Sequence, residues 1–447
     1  MRAETRGFRY GLQLGVVGAC VGLGVFVLPA GAQSPTPTYS KDVAPILQQK
    51  CEMCHRDGAI APMSLLTYEE VRTYAPLIKD RVSNRKMPPY FVDRSVGLND
   101  FKDDRGLSQE QIETIVSWVD GGTPQGDPAD MPPPVSFDNN AEFTLTSAMG
   151  REPDLVIPIP EPFLVPGDGP NWWMDFISET GLTEDRYISA YESRPTPEGF
   201  PVVHHAISNL FTGDLSDPDW EAGFSEYALG KTGDIFPANS GQLIKAGSKL
   251  HWNVHYSANA NGEDTYDQTR IAIWLYPRGV EPKYRLQRGG IGSTVSDLDI
   301  PPHSEEVRVD GYTPLKENVR IAIFQPHLHN LGSRQCLDVI YPDGRLQTLS
   351  CANWDFGWHI AYTYADDVQP LIPKGSVLHL TSWHNNSESN PWAHDPDNWV
   401  GWGNRSTDEM AFAHISFYEL SDEDYAEAVK ERVENEEKSG RIIMDGG

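Results

Sequence analysis

Cysteine and histidine are the residues of this 447-residue chain best suited to metal and redox chemistry, and they are clustered. Cys51-Glu-Met-Cys54-His55 has the C-x-x-C-H spacing, which suits covalent haem: two thiols one turn apart can add to the two vinyl groups while the adjacent imidazole reaches the iron. A disulfide or half of a zinc site would use the same cysteines, but no second ligand pair lies nearby. No histidine follows His55 before the Pro-rich stretch near residue 128, so methionine is the candidate sixth ligand. Met87, in Lys86-Met87-Pro88-Pro89, is the first candidate and Met63 the second. A Met/His pair leaves no open iron position, as electron transfer needs.

Further along, His204-His205, His251 with His255, and His327-Leu328-His329 concentrate six histidines in strand-like runs. His327 and His329 are two apart and project from one strand face, a two-imidazole half-site. His204 and His205 are adjacent and would face opposite ways on a regular strand, so a shared metal requires a bulge or a strand end there. His359, His384 and His394, in a region rich in Trp and Asn, read as hydrogen-bonded or rim histidines, and so does His251.

The elements positioning these residues differ along the chain. Residues 1–32 read as an export signal, with Arg2, Arg6 and Arg9 before an apolar run and then Ala30-Gly31-Ala32; if uncleaved, the run would be a membrane anchor. Export implies a periplasmic or secreted protein and an oxidising compartment. Residues 36–127 read as a small all-α domain: a short helix near Ser40 carries Val43, Ile46 and Leu47 inward, and Ser108 with Gln111 caps a helix presenting Ile112, Ile115, Val116 and Val119, ended by Gly121. Residues 128–140 form a Pro-rich linker. After it come short alternating runs such as Arg270–Leu275, Arg320–Phe324 and Val377–Leu380, which suggest β-sandwiches, and residues 421–447 read as a charged, solvated tail helix. Cys336 and Cys351 lie symmetrically about the turn signal Asp343-Gly344, so a hairpin centred there pairs them in a cross-strand disulfide; free thiols serving as copper ligands are the alternative.

Charge excludes some partners. The net charge is −28, and removing residues 1–32 would leave −30, which repels nucleic acid and anionic lipid.

Two family resemblances follow from these motifs. Residues 36–127, from Tyr39-Ser-Lys-Asp-Val through Met87-Pro-Pro to Trp118-Val-Asp-Gly-Gly, resemble a class I cytochrome c, which implies one haem c on Cys51, Cys54, His55 and Met87. Val203-His204-His205-Ala206, Val254-His255-Tyr256, Gln325-Pro-His327-Leu-His329-Asn-Leu-Gly332 and Ser406-Thr-Asp-Glu-Met410 resemble, in that order, the type II copper monooxygenases, the family of peptidylglycine α-hydroxylating monooxygenase and dopamine β-monooxygenase. That resemblance implies two tandem all-β jelly-roll-like sandwiches, 141–295 and 296–420, with one copper in each. His204, His205 and His255 would hold the electron-transfer copper. His327, His329 and Met410 would hold the copper at which O2 and a C–H bond react, a soft thioether favouring Cu(I).

Departures bear on the substrate. The peptide-amidating branch anchors a substrate carboxylate with arginine, asparagine and tyrosine, where this chain has Gln325, Phe412 and His414. These three are the candidate substrate contacts, without a carboxylate clamp. The combined expectation is an exported monooxygenase acting on a small molecule with O2, fed by an upstream donor through its own haem. The alternative is a periplasmic haem and copper electron-transfer or copper-binding protein that hydroxylates nothing.

Overall fold

Apolar residues at helical spacing give way after residue 150 to short β-branched and aromatic runs, and the backbone follows that change. The computed structural model describes residues 36–56, 61, 63–102, 104–136, 143–169, 172–228, 233–259, 262–292, 298–403 and 405–439. The expected export signal and residues 137–140 of the expected linker lie outside them. No helix among the described residues is long and apolar enough to cross a membrane.

A π-type turn, Tyr39–Val43, leads into the helix Ala44–Lys50. Reciprocal capping boxes, Thr67 with Glu70 and Ser108 with Gln111, start the helices Tyr68–Ser83 and Gln109–Asp120. Their inward residues, Val43, Leu47, Val71, Ile115 and Trp118 among them, share one core.

Most β pairing is antiparallel. A six-stranded sheet runs Leu155–Pro158, Arg270–Leu275, Arg186–Arg194, Ser240–Ile244, Tyr284–Arg285, with Gly233–Ile235 beside Arg186–Arg194. A four-stranded sheet runs Trp172–Glu179, Lys249–Tyr256, Val203–Asp214, Asp217–Ala228. Ile188 and Ile271 from the first meet Leu210, Trp252 and Val254 from the second in one core. A five-stranded sheet, Gln287–Gly292, Phe412–Leu420, Asn318–His327 and Tyr362–Thr363 with Leu371–Ile372 alongside, shares another core with the four-stranded sheet Ser304–Pro314, Val377–Asn386, Gly332–Ile340, Leu346–Asn353.

This architecture corrects the expected fold class. Strand makes up 40% of the structure and helix 17%, with five α-helices among the described residues; no N-terminal all-α cytochrome domain is evident among them, and the described residues from 37 onward cluster as one compact unit. The physical reason lies in residues 90–101. Val92, Leu98 and Phe101 are buried among the strands of the second β core, Val92 bridges to Ala352 and Phe101 to Tyr364, and Arg334 pairs with Asp93 at 2.7 Å. The two β halves are not independent sandwiches either. The core of the first also holds Ala322, Ile323, Tyr418 and Leu420 from the five-stranded sheet.

Two smaller features frame the site. Cys336 and Cys351 are cross-strand partners and are disulfide-bonded. The helix Asp422–Ser439 is docked rather than a solvated appendage. Tyr425, Ala428 and Val429 form a sparse stripe against the first core, and buried Arg432 donates to the Gln369 carbonyl at 2.6 Å.

Candidate metal centre

The first histidine group is assembled by a strand irregularity. Val203 pairs with Tyr256 and His205 with His255, so the register slips at His204 and the strand carries one extra residue there. Both adjacent histidines consequently line the same cavity. The ring centre of His255 lies 5.1 Å from that of His204 and 4.9 Å from that of His205. Trp173, directly across from His255 on the next strand, stacks on its ring at 4.0 Å and 5°. Burial, with His204 and His359 adding to it, holds His255 down to about 3, and burial also pushes His205 well below the usual histidine range. These imidazoles are therefore neutral at pH 7, the form that offers a lone pair to a metal.

The second group is held by a buried carboxylate. His327 ends its strand and His329 follows in the loop, their ring centres 5.5 Å apart. Met410 precedes the strand Phe412–Leu420, which places Phe412 beside His327. Glu409, fully buried, accepts from the backbone N–H groups of His329 (3.0 Å), Leu331 (2.6 Å) and Met410 (3.2 Å). One carboxylate thus fixes both the segment that carries His329 and the one that carries Met410. His329 Nδ1 lies 3.0 Å from the Asp408 carbonyl, which leaves Nε2 for a ligand. His384 is buried behind this group, with Nε2 3.2 Å from the Met410 carbonyl.

A single cavity of about 320 Å³ is lined by His204, His205, His255, His327, His329 and Met410 together. Gln325 and His414 also line it, whereas Phe412 only rests on His327 and on His414. Burial, followed by nearby Arg288, holds His414 down to about 3. The Gln325 side chain is tied into a buried set with Arg288 and Glu226: Arg288 donates to Gln325 Oε1 at 2.5 Å and lies 3.2 Å from Glu226, and the Gln325 amide donates to Glu226. His251 stands apart, paired with Asp175 at 3.2 Å, and His394 lines a different cavity.

Among the described residues, no three or more His, Cys, Asp or Glu side chains are already drawn together closely enough to hold a metal. The donor set nonetheless fits one. With metal–nitrogen distances of about 2.0–2.1 Å, an imidazole centre sits roughly 3.2 Å from the ion, so two imidazoles at roughly 100–120° have centres about 5–5.5 Å apart. The separations in both groups match this range. His255 Nε2 is buried without a hydrogen-bond partner, the state expected of a nitrogen reserved for a metal. Imidazole with one thioether is a copper donor set.

The C-x-x-C-H turn also fits its group. Cys51 and Cys54 are not disulfide-bonded, and burial pushes the Cys51 thiol up to about 12. His55 Nδ1 lies 3.2 Å from the Met63 carbonyl, so Nε2 is the nitrogen left for iron. Met87 lines a cavity of about 200 Å³ with Val82, Tyr90 and Trp354. Met131, from the Pro-rich segment, packs against the helical core alongside Cys51.

Sequence reasoning missed Glu409, Arg288, Glu226 and Trp173. A buried carboxylate beside a ligand has the same sequence signature as an exposed one, and the other three reach the cavity only through strand pairing. His359, read as a rim histidine, also lines the cavity.

No family profile and no curated protein sequence matches the chain. Solved structures overlap it weakly. PNGF-II is 8% identical over 59% of this chain and 65% of its own, with a TM-score of 0.27. The major capsid protein P2 of bacteriophage PM2 is 8% identical over 60% and 98%, at 0.23. A protein described as an alpha-L-fucosidase from Bacteroides ovatus is 10% identical over 69% and 43%, at 0.18, so the chain spans less than half of that protein's length. Overlaps at such scores carry no argument about function, which must be read from the site itself.

Proposed function

We propose that the protein is an exported, copper-dependent monooxygenase that hydroxylates a C–H bond of a small substrate with O2, drawing electrons through its own covalently bound haem. One observation carries this reading: His204, His205, His255, His327, His329 and Met410, from four distant stretches of sequence, line one cavity. His204, His205 and His255 would hold one copper, His327, His329 and Met410 the other, and Cys51, Cys54 and His55 the haem. When bound, these groups would supply one-electron transfer and O2 activation, the overall change being R–H + O2 + 2e⁻ + 2H⁺ → R–OH + H2O.

The chain's own residues do the rest. Burial holds His204, His205, His255 and His327 below the usual histidine range, so protons compete little for their nitrogens at pH 7. Glu409 holds the His329 and Met410 segments in one arrangement, and Trp173 fixes the plane of His255. Trp173, Phe356 and Trp392 give the cavity apolar walls for a small molecule.

The test is the copper-to-haem ratio of haem-matured protein after copper loading and desalting, followed by reoxidation of the reduced haem on admitting O2. A ratio near two with copper-dependent reoxidation is expected. A ratio near zero overturns the reading. Full copper occupancy with a haem that stays reduced removes the electron route.

A further inference from the structure

The two histidine groups are joined by a residue that neither resemblance uses. His359, in the segment before Tyr362–Thr363, has its ring centre 5.5 Å from that of His205 and 5.6 Å from that of His327. These separations lie at the upper end of the range for imidazoles sharing one ion, about 5–5.5 Å, or just beyond it. The cavity therefore contains an unbroken series of rings, His204, His255, His205, His359, His327 and His329, with each neighbouring pair 4.9–5.6 Å apart.

The position of His359 is built. Trp354 stands edge-on to its ring at 4.9 Å and Phe356 packs at 6.0 Å, two aromatic neighbours that confine the imidazole. A half-buried imidazole confined by aromatic neighbours and lining the same cavity as the other imidazoles, within ring-centre reach of one histidine from each group, is placed as a metal-ligating histidine would be.

We propose that His359 is a further metal-binding residue of this cavity, an imidazole donor to one of the two copper ions, which draws the two groups into one connected centre. A neutral imidazole has a single nitrogen lone pair to give, so it completes one ion rather than bridging both. The proposal rests on the copper reading and adds a ligand to it.

The test uses the full-length, haem-matured chain as wild type, His359→Ala and His251→Ala, each loaded with Cu(II). Chelator competition measures the affinity of each ion, and pulsed EPR counts the coordinated imidazoles. His359→Ala is expected to weaken one of the two ions at least tenfold and to remove one imidazole from the count, with His251→Ala matching wild type. Wild-type affinities and spectrum in His359→Ala would overturn the assignment of His359 and leave the copper reading standing. A wild type that binds no copper would overturn both. If His359→Ala does not fold, the wild-type spectrum decides alone: six imidazoles over two ions supports the proposal and five overturns it.

Discussion

Replacing Glu409 asks the most of the proposed second ligand group. Its carboxylate is fully buried and accepts three backbone N–H groups, those of His329, Leu331 and Met410, at 3.0, 2.6 and 3.2 Å. Hydrogen bonds to a charged partner contribute about 1.5–3 kcal/mol each, and a buried donor left unpaired costs about 1–3 kcal/mol. Glu409→Ala removes the acceptor of all three N–H groups. Allowing for water entering the vacated space, it should destabilise the protein by roughly 3–6 kcal/mol, a large share of the ~5–15 kcal/mol typical of a folded domain. Glu409→Gln keeps one carbonyl oxygen and sets an amide NH2 against a backbone donor, so about 1.5–3 kcal/mol should be lost.

The assay pairs urea unfolding, followed by tryptophan fluorescence, with copper titration of each variant. Loss of stability in the order Ala, then Gln, should accompany weaker binding at the His327/His329/Met410 group, with the His204/His205/His255 group unchanged. The distinction follows from connectivity, since the backbone donors to Glu409 lie in segments that carry the second group, and its other close contact, His384 Nε2 at 3.4 Å, lies behind that same group. A Gln variant within about 0.5 kcal/mol of wild type, with both copper affinities intact, would refute the clamp argument.

Other perturbations test other parts of the structure. Hydrogen bonds from Ser95, aided by Arg334, hold Asp93 down to about 2, below the usual 3.8. The unfolded chain therefore binds the extra proton between those values, so the stabilisation is complete above about pH 4 and is lost as pH falls toward 2. After screening, Asp93→Asn should lose about 1–2 kcal/mol at pH 7 and converge on wild type in acid; a gap in urea midpoints that does not vary with pH would contradict this. Cys336→Ser with Cys351→Ser opens a link between residues 15 apart and should cost about 3 kcal/mol in urea unfolding under oxidising conditions. Arg288→Met withdraws the cation beside buried Glu226 and should cost about 3–5 kcal/mol, most of it recovered in the Glu226→Gln/Arg288→Met double variant; equal stability of the two would show that the pair is uncoupled.

Local spacing made part of this legible in the sequence. Capping residues announce the helix at Gln109, and adjacent histidines announce that the strand holding them must be irregular. The disulfide was readable through two offsets that cancel. The observed hairpin pairs Ile340 with Leu346, centred one half-residue before the Asp343-Gly344 midpoint, and a bulge between Leu337 and Asp338 restores the register at Cys336 and Cys351. The helical domain was misread because its boundary was placed at the Pro-rich stretch. Val92, Leu98 and Phe101 had already left the helices for the β core, and no local pattern says which core an isolated apolar residue joins. Glu409 and His359 were illegible for the same reason: burial and ring proximity arise from long-range packing.

The polar end of the cavity shows how the structure alters a conclusion drawn from sequence. Gln325 stands where the resembled peptide-amidating enzymes have an arginine, which suggests that no cation faces the substrate. The fold restores one beside it, since Arg288 comes from the strand Gln287–Gly292 to within 2.5 Å of Gln325 Oε1. That charge is already engaged. Arg288 lies 3.2 Å from Glu226, and the Gln325 amide donates to the same carboxylate, so the three side chains form a closed set that neutralises itself. A substrate carboxylate would have to displace Glu226 from Arg288, leaving a buried anion without its cation, at a cost of several kcal/mol. A neutral molecule lying against Trp173, Phe356 and Trp392 disturbs none of these contacts. The missing clamp is therefore a property of the folded cavity and extends beyond position 325: the arginine is present, but Glu226 occupies the place a substrate carboxylate would take.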